Sequence, residues 1–200
     1  MITKQWRRGM KVDGFTKRTE TKQRAILDAA KSLMGEKQSR FTISELARSA
    51  SVSPVSIYNY FGSKEQVVLQ VLTRLTEDEM GWIDERIGEH IPFEELLIEI
   101  LRRKIESAAL FDDAVLSIVT ADPSWQQLAA RGYAAFRSLI EYGKTTGAID
   151  PDVSTDAYLR YVRLMQQAVL SDPDFASHEM TETMQEYFHF FLHGIMRRSR

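Results

Sequence analysis

The chain has 200 residues, of which 44% are hydrophobic and 27% charged, and it contains no cysteine. This length and composition fit one large or two small globular domains, and the lack of cysteine excludes disulfides and thiol catalysis. No apolar run reaches the roughly 18 residues of a membrane span and the first residues lack the apolar core of a secretion signal, so we expect a soluble, cytoplasmic protein.

Charge is divided unequally along the chain. Residues 1–62 contain twelve Lys and Arg against five Asp and Glu, whereas the whole chain has 26 basic and 28 acidic side chains. A basic first third followed by an acidic remainder predicts that the first third meets a polyanion. A basic face that is merely solvated, or a chance distribution, is the alternative.

The first elements along the chain are an arm and four helices. Residues 1–20 carry six basic side chains without helical periodicity, which predicts a flexible basic arm. From Thr21 apolar residues recur every three or four positions and predict a helix that ends near Gly35 and Lys37. Two short helices are predicted at 42–49 and 53–61, followed by a long helix from Ser63 to about Ile87.

Capping residues define the two short helices. Thr42 with Glu45 three residues later has the pattern of a capping box, and Ser53 precedes Pro54, which is favoured at the first helical position. Helices this short are unstable alone. Joined by three or four residues within a basic region, they predict a helix-turn-helix whose second helix enters the major groove of DNA.

A helical wheel of residues 53–61 separates buried from exposed positions. Ile57 and Phe61 lie one turn apart and face the first short helix, so we expect them in the core. Val55 and Asn59 form the opposite, outward pair. The residues that flank this pair are Ser56, Tyr58 and Tyr60. The outer side of this helix is therefore predicted to be a surface for DNA.

Beyond Pro92 all periodic segments are helical. Helices are predicted at 93–110, 112–120, 124–144, 155–170 and 178–198, and Asp-Pro pairs begin at 122, 150 and 172 between them. No alternating strand pattern or repeat is present. The sequence predicts an all-α protein of about nine helices, with a helix-turn-helix DNA-binding domain over residues 21–66 and a second helical domain over residues 67–200.

The stretch FTISELARSASVSPVSIYNYFGSKEQVV resembles the DNA-binding domain of the tetracycline-repressor (TetR) family of bacterial transcription regulators. The resemblance covers about residues 21–70, and IYNYFGSKE is its specific part. The positions that match the family pattern are Thr42, Ala47, Val52, Ser53, Tyr58, Tyr60, Phe61, Ser63, Lys64 and Glu65. Glycine is usual in the family where Ser51 and Val55 stand. These departures affect the predicted operator, where valine can touch a thymine methyl group, and not the predicted fold.

The resemblance implies roles for individual residues. The hydroxyls of Thr42 and Tyr58 and the amine of Lys64 would hold phosphates, with Tyr60 on a phosphate or a base edge, while the outward residues of the helix would contact bases. The predicted DNA-binding set is Thr42, Ser53, Pro54, Val55, Ser56, Tyr58, Asn59, Tyr60 and Lys64. Packing of the two tyrosine rings is the alternative. Further candidates for DNA contacts, or for a solvated arm, are Lys17, Arg18, Lys22 and Arg24.

For the C-terminal helices the resemblance implies a ligand-binding domain that forms a homodimer through its last two helices. Broad apolar stripes on those two helices support this assignment, with an intrachain core as the alternative. The predicted dimer residues are Tyr158, Tyr161, Met165, Met184, Tyr187, Phe188, Phe191 and Ile195. A stretch of middle helices would enclose the effector, and its candidate lining residues are Trp82, Phe93, Phe111, Trp125, Tyr133 and Phe136. For any one of them core packing is the more common role, and the effector is expected to be apolar or aromatic.

Signals for other chemistry are weak. His189 and His193 stand one helical turn apart, but no third metal ligand accompanies them, so we expect neither a metal nor a cofactor. No phosphate-binding glycine loop or Ser-His-Asp set is present, which argues against an enzyme. The sequence predicts a ligand-responsive regulator, most often a repressor in this family, that binds a palindromic operator on double-stranded DNA as a homodimer. The alternatives are an all-α small-molecule-binding protein or enzyme with an incidental basic end, and a regulator that acts through a protein partner without an effector.

Overall fold

A computed structural model describes residues 14–108 and 110–171, and the structural statements below refer to these residues. The elements in chain order are α1 Gly14–Lys37, a 3₁₀ turn Gln38–Arg40, α2 Ile43–Ser49, α3 Pro54–Phe61, α4 Lys64–Gly88, α5 Phe93–Ala108, α6 Asp113–Ala121, α7 Pro123–Thr145 and α8 Thr155–Ser171. The predicted all-α fold is confirmed. The ninth predicted helix, at 178–198, lies outside the described residues.

The chain divides into two compact units, Met1–Val67 and Val68–Arg200, with the division inside α4. We call the first unit the head and the second unit the body. Among the helices of the described ranges, none is both long and apolar enough to cross a membrane.

The first helix of the head begins earlier than the sequence pattern indicated. Helix α1 starts at Gly14 instead of Thr21, so the predicted arm is helical from residue 14 onward, while residues 1–13 lie outside the described part. The first half of α1 carries charged side chains such as Arg18 and Lys22, which are exposed and favour helix. Residues 18–24 contain no buried side chain and leave no apolar periodicity, which is why the sequence pattern missed this part of the helix.

Three helices share one apolar core in the head. The buried side chains are Ile26, Ala30 and Met34 of α1, Leu46 and Ala47 of α2, Ile57 and Phe61 of α3, Phe41 and Val67. The burial of Ile57 and Phe61 confirms the wheel drawn from the sequence and fixes which side of α3 faces outward.

The turn between α2 and α3 places a non-glycine residue in a left-handed conformation. The amide of Val52 donates to the carbonyl of Ala47 at 2.9 Å, and the amide of Ser51 donates to the carbonyl of Arg48 at 3.2 Å. This pair of hydrogen bonds is typical of a helix that ends with a left-handed residue, usually glycine, at the position of Ser51. Ser51 accordingly has φ of 54°. Glycine would suit this position because it adopts a positive φ without the steric cost of a Cβ atom.

The body is organised around a separate apolar cluster from α4, α5, α7 and α8. The buried residues of this cluster are Ile83, Phe93, Leu96, Leu97, Ile100, Leu139, Ile140, Ile149 and Tyr158. Gly143 of α7 lies where a Cβ atom would come within 2.7 Å of both Ile149 and Phe93, so the helix approaches its neighbours too closely for any side chain. A polar contact also holds the connection between α4 and α5, since the Tyr142 hydroxyl of α7 donates to the Ile91 carbonyl at 2.6 Å.

Candidate nucleic-acid interface

Helix α2 begins with the capping box that the sequence predicted. The amide of Thr42 donates to Glu45 Oε2 at 2.7 Å, and the amide of Glu45 donates to Thr42 Oγ1 at 3.2 Å. The Thr42 hydroxyl in turn donates to Glu45 Oε2 at 3.0 Å. Because its proton is directed to Glu45, a phosphate at Thr42 would have to compete with that carboxylate. The structure therefore uses Thr42 to cap α2, beside any role it has toward DNA.

Glu45 also joins α2 to the end of α1. Lys37 Nζ lies 2.5 Å from Glu45 Oε1. The hydrogen bond from Lys37, followed by those from the Thr42 amide and hydroxyl, lowers the pKa of Glu45 to about 2. All these bonds favour the ionised carboxylate, so the contact is complete at neutral pH.

The recognition-helix candidate α3 is capped in the same way. Ser53 Oγ accepts a hydrogen bond from the Ser56 amide at 3.1 Å, and the hydroxyl oxygens of Ser53 and Ser56 lie 2.9 Å apart. Pro54 occupies the first turn of α3, where its missing N–H removes no intrahelical bond. Gly62, with φ of 80°, ends the helix. Both ends of α3 are thus held by local contacts, which fixes the orientation of the residues between them.

The outer side of α3 carries the predicted base-contacting pair. Val55 is 64% exposed and Tyr58 is 52% exposed, and Asn59 is exposed as well. Tyr60 is half-buried and meets the Phe61 ring edge to face, with ring centroids 6.5 Å apart. Valine, tyrosine and asparagine side chains therefore face solvent opposite the core of the head, whereas part of the Tyr60 ring is used for packing.

Lys64 is engaged within the head. Its Nζ donates to the carbonyl of Ser39 in the 3₁₀ turn and lies 4.8 Å from the centroid of the Phe41 ring. A charged amine over an aromatic face and on a backbone carbonyl fixes the turn that connects α1 to α2. A phosphate at Lys64 would have to replace the Ser39 carbonyl. The sequence offered no signal for this contact, because Ser39 lies 25 residues away.

Helix α1 also carries exposed basic residues, which are further candidates for DNA contacts. Arg18, Lys22 and Arg24 are exposed, whereas the side chain of Lys17 lies outside the described set. Their positions on a helix, rather than on a flexible arm, give them a fixed spacing. They remain predicted contacts to the DNA backbone.

Three of the six aromatic residues predicted to line an effector pocket belong to the core of the body. Phe93 is buried within the cluster, and Trp82 and Phe136 pack against it. Trp82 is also covered by the Arg103 guanidinium, 4.3 Å from the ring centroid. Phe93 is thus part of this core, and Trp82 and Phe136 pack on its edge, while their role toward an effector stays a prediction. Phe111, Trp125 and Tyr133 are half-buried and remain predicted lining residues.

The predicted dimer residues on α8 divide into buried and exposed ones. Tyr158 is only 6% exposed and stacks on Phe136, with centroids 6.1 Å apart, so its ring belongs to the core of the body and offers little surface to a partner. Tyr161 is 47% exposed and Met165 is half-buried. Leu164, which is not among the predicted dimer residues, is 56% exposed and lies three residues after Tyr161. The other predicted dimer residues, Met184, Tyr187, Phe188, Phe191 and Ile195, lie outside the described residues.

Metal-ligating residues are not clustered in the described ranges. Within 14–108 and 110–171 no group of three His, Cys, Asp or Glu side chains is placed to hold a metal ion. The pair His189 and His193 falls outside these ranges.

Comparison with known proteins agrees with the geometry of the head. Residues 26–71 match the family model of the bacterial regulatory proteins of the tetR family. Over this segment the chain is similar to the tetR family. The HTH-type transcriptional regulator BetI of Rhizobium meliloti is 40% identical over 55 residues. In that match the chain spans only 27% of the length of this curated relative.

Solved structures share the fold over most of the chain. A transcriptional regulator from Saccharomonospora viridis in complex with choline aligns with a TM-score of 0.62 and 18% identity, covering 88% of this chain and 98% of its own. Thermus thermophilus FadR, a TetR-family transcriptional repressor in complex with lauroyl-CoA, aligns with a TM-score of 0.54 and 19% identity, covering 89% and 97%. At such identities the likeness establishes the fold alone.

Proposed function

We propose that this chain is a DNA-binding transcriptional regulator that acts as a homodimer on a palindromic operator and responds to a small molecule. The observation that carries the proposal is the outer side of α3. This helix is capped at both ends and packed through Ile57 and Phe61, yet it exposes Val55, Tyr58 and Asn59. A helix so held, within a helix-turn-helix similar to that of the tetR family, is suited to place base-contacting side chains in the major groove.

Phosphate contacts would give affinity, and base contacts would give specificity. In this proposal the Tyr58 hydroxyl and the exposed basic residues of α1 hold phosphates, while Val55 and Asn59 contact base edges. Asparagine offers one donor and one acceptor that match adenine. Thr42 and Lys64 would reach phosphates only by exchanging their partners Glu45 and Ser39.

The exposed apolar side of α8 supports the homodimer. Tyr161 and Leu164 leave large apolar side chains in solvent on one side of the helix. Two copies joined through this surface would present two heads, as a palindromic operator requires. The predicted dimer residues beyond 171 would extend the same interface.

The body is the proposed effector-binding part. The fold relatives from Saccharomonospora viridis and Thermus thermophilus were solved with choline and with lauroyl-CoA, which supports a small-molecule site in this fold. An effector changes operator affinity only by the difference between its affinities for the two states of the protein. We propose release from DNA as the response and no catalytic role. The protein would act in the cytoplasm, where the bacterial chromosome lies.

Selection from a random-sequence DNA library tests the DNA-binding part. The full chain should enrich a palindromic duplex, and its affinity for that duplex should fall linearly with salt on logarithmic axes, with a slope of about −0.9 for each phosphate contacted. A scrambled duplex of the same composition is the control and should bind at least about a thousandfold more weakly. An all-α carrier or enzyme with an incidental basic end would enrich no sequence.

A melting-temperature screen tests the effector part, with choline and lauroyl-CoA as the first two probes. A compound that binds the folded protein raises its melting temperature. A compound that does so should also lower the affinity for the selected duplex. Binding that leaves operator affinity unchanged would contradict the proposed response and favour a regulator that acts through a protein partner.

A further inference from the structure

The first turn of α3 presents apolar surface to solvent. The hydroxyl oxygens of Ser53 and Ser56 face one another at 2.9 Å, and Ser53 Oγ also accepts the Ser56 amide at 3.1 Å. Pro54 is exposed and has no N–H to donate. Val55 lies between Pro54 and Ser56 in the chain, and it is 64% exposed. The local serine contacts leave the Val55 isopropyl group as the most prominent feature of this turn.

Folding does not explain an exposed valine at this position. The buried side of α3 is formed by Ile57 and Phe61, so Val55 contributes little to the core. Valine is also a weaker helix former than alanine because its branched side chain loses rotamer freedom in a helix. The large hydrophobic side chains with high exposure in the described ranges are Val55, Tyr58, Ile98, Tyr161 and Leu164, and two of these five lie on the eight residues of α3.

The chemistry of the major groove indicates what such a side chain recognises. Base edges there offer hydrogen-bond donors and acceptors, and the thymine C5-methyl group is the apolar feature. We infer that Val55 is a specificity-determining residue that selects a thymine by contact between its isopropyl group and this methyl group. The inference rests on the proposed DNA-binding function and names the base feature that the first turn of α3 reads.

Asn59 lies on the same side of α3 as Val55. Asn59 follows Val55 by four residues, so the two side chains lie on one side of α3, about 6 Å apart along its axis. Successive base pairs are about 3.4 Å apart. A recognition helix lies along the groove, so the two side chains can reach neighbouring base pairs, which predicts half-sites with a thymine close to the adenine read by Asn59.

Deoxyuridine tests this inference, because it pairs as thymidine does and lacks only the methyl group. The probes are duplexes enriched from the random library by the full wild-type chain, resynthesised with deoxyuridine at one thymidine position at a time. We expect one position in each half-site at which the substitution lowers affinity about fourfold, the effect of one buried methyl-sized group. Replacing that thymidine by 5-methylcytosine should likewise retain more affinity than replacing it by cytosine.

Val55→Ala should remove the difference between thymidine and deoxyuridine at this position. The substitution shortens an exposed side chain and favours helix, so the variant should fold, which circular dichroism checks. The matched control is Ile98→Ala, because Ile98 is 63% exposed but lies in the body. Ile98→Ala should leave the affinity ratio of the two duplexes at its wild-type value.

The outcomes separate this inference from the function on which it rests. Equal wild-type affinity for thymidine and deoxyuridine at every position of an enriched duplex would overturn the role of Val55 and leave the DNA-binding function intact. An unchanged deoxyuridine effect in Val55→Ala would assign the methyl contact to another residue and also overturn it. Failure to enrich any sequence would overturn the proposed function and the inference together.

Discussion

The head and the body use their aromatic and polar side chains in opposite ways. In the head, Thr42 and Ser53 are tied into helix caps and the aromatic Tyr58 is exposed on α3. In the body, Phe93 and Tyr158 are buried inside the apolar cluster and polar groups join helix to helix. In the head, caps between residues three apart fix α2 and α3 beside the apolar core and the Lys64–Ser39 contact, and they leave the outer side of α3 exposed. In the body, contacts between distant segments bury the aromatic rings. Its exposed apolar side chains on α8 are the proposed surface for a second copy of the chain.

The largest effect is expected where the body exposes apolar side chains on α8. Leu164→Glu would place a charge where the partner's apolar surface should lie, and burial of an unpaired charge is strongly unfavourable. Sedimentation should show monomers, and affinity for the selected duplex should fall at least about a hundredfold. Ile98→Glu, at a residue of similar exposure on α5, is the control and should leave the dimer intact. A dimeric Leu164→Glu variant would mean that α8 is not the interface.

Close packing in the body is tested by two glycines of the same helix. Gly143→Ala introduces a Cβ atom 2.7 Å from Ile149 and Phe93, whereas Gly132→Ala introduces one with no atom within 4 Å. Overpacking should lower the free energy of unfolding of the first variant by about 1–3 kcal/mol. The second should raise it by up to about 1 kcal/mol, because alanine favours helix. Urea unfolding that ranks the variants in the reverse order would contradict the described packing.

Acid should weaken the local contacts of the head. The pKa of Glu45 is lowered in the folded chain to about 2 from an ordinary value of 4.5, so its stabilising effect is complete above pH 4.5 and is lost as the pH falls toward 2. Glu45→Gln should therefore be less stable than wild type at pH 7 and lose less stability over that interval. Thermal unfolding from pH 7 to 2 measures both differences.

Lys37→Met separates the contact of Glu45 with Lys37 from its contact with Thr42. It removes the largest cause of the lowered pKa and leaves the capping box with Thr42 in place. The pKa of Glu45, followed by NMR titration, should rise but stay below 4.5. A pKa that does not move would show that the Lys37 contact is absent in solution.

The smallest expected effect concerns the turn of the head. Ser51 has φ of 54°, which disfavours a residue with a Cβ atom, so Ser51→Gly should raise the free energy of unfolding by about 0.5–1 kcal/mol. Ser49→Gly, at the last residue of the neighbouring helix α2, is the matched control and should lower it, because glycine loses more backbone freedom in a helix. Both changes are measured by urea unfolding, and equal signs for the two variants would contradict the left-handed turn.

How much of this structure the sequence predicts depends on how far apart the contacting residues lie along the chain. The caps at Thr42 and Ser53 and the outward pair Val55 and Asn59 follow from residues three or four apart, which a linear pattern records. The core position of Tyr158 does not, since an apolar stripe is the same whether it packs on its own chain or on a partner. The Lys64 contact with Ser39 also escapes such a pattern, because its partner lies on a distant segment.

The central claim is that Asn59 and Val55 on α3 read bases, while Tyr58 of the same helix and the basic residues of α1 hold the backbone. The direct test compares Asn59→Ala and Tyr58→Phe on the selected and the scrambled duplex at several salt concentrations. Asn59→Ala should cost about 1–3 kcal/mol on the selected duplex, relax preference at one or two positions and leave scrambled DNA nearly unaffected. Tyr58→Phe, which removes a neutral hydroxyl, should weaken binding to both duplexes with nearly the same salt slope. Equal losses on both duplexes for Asn59→Ala would contradict the claim.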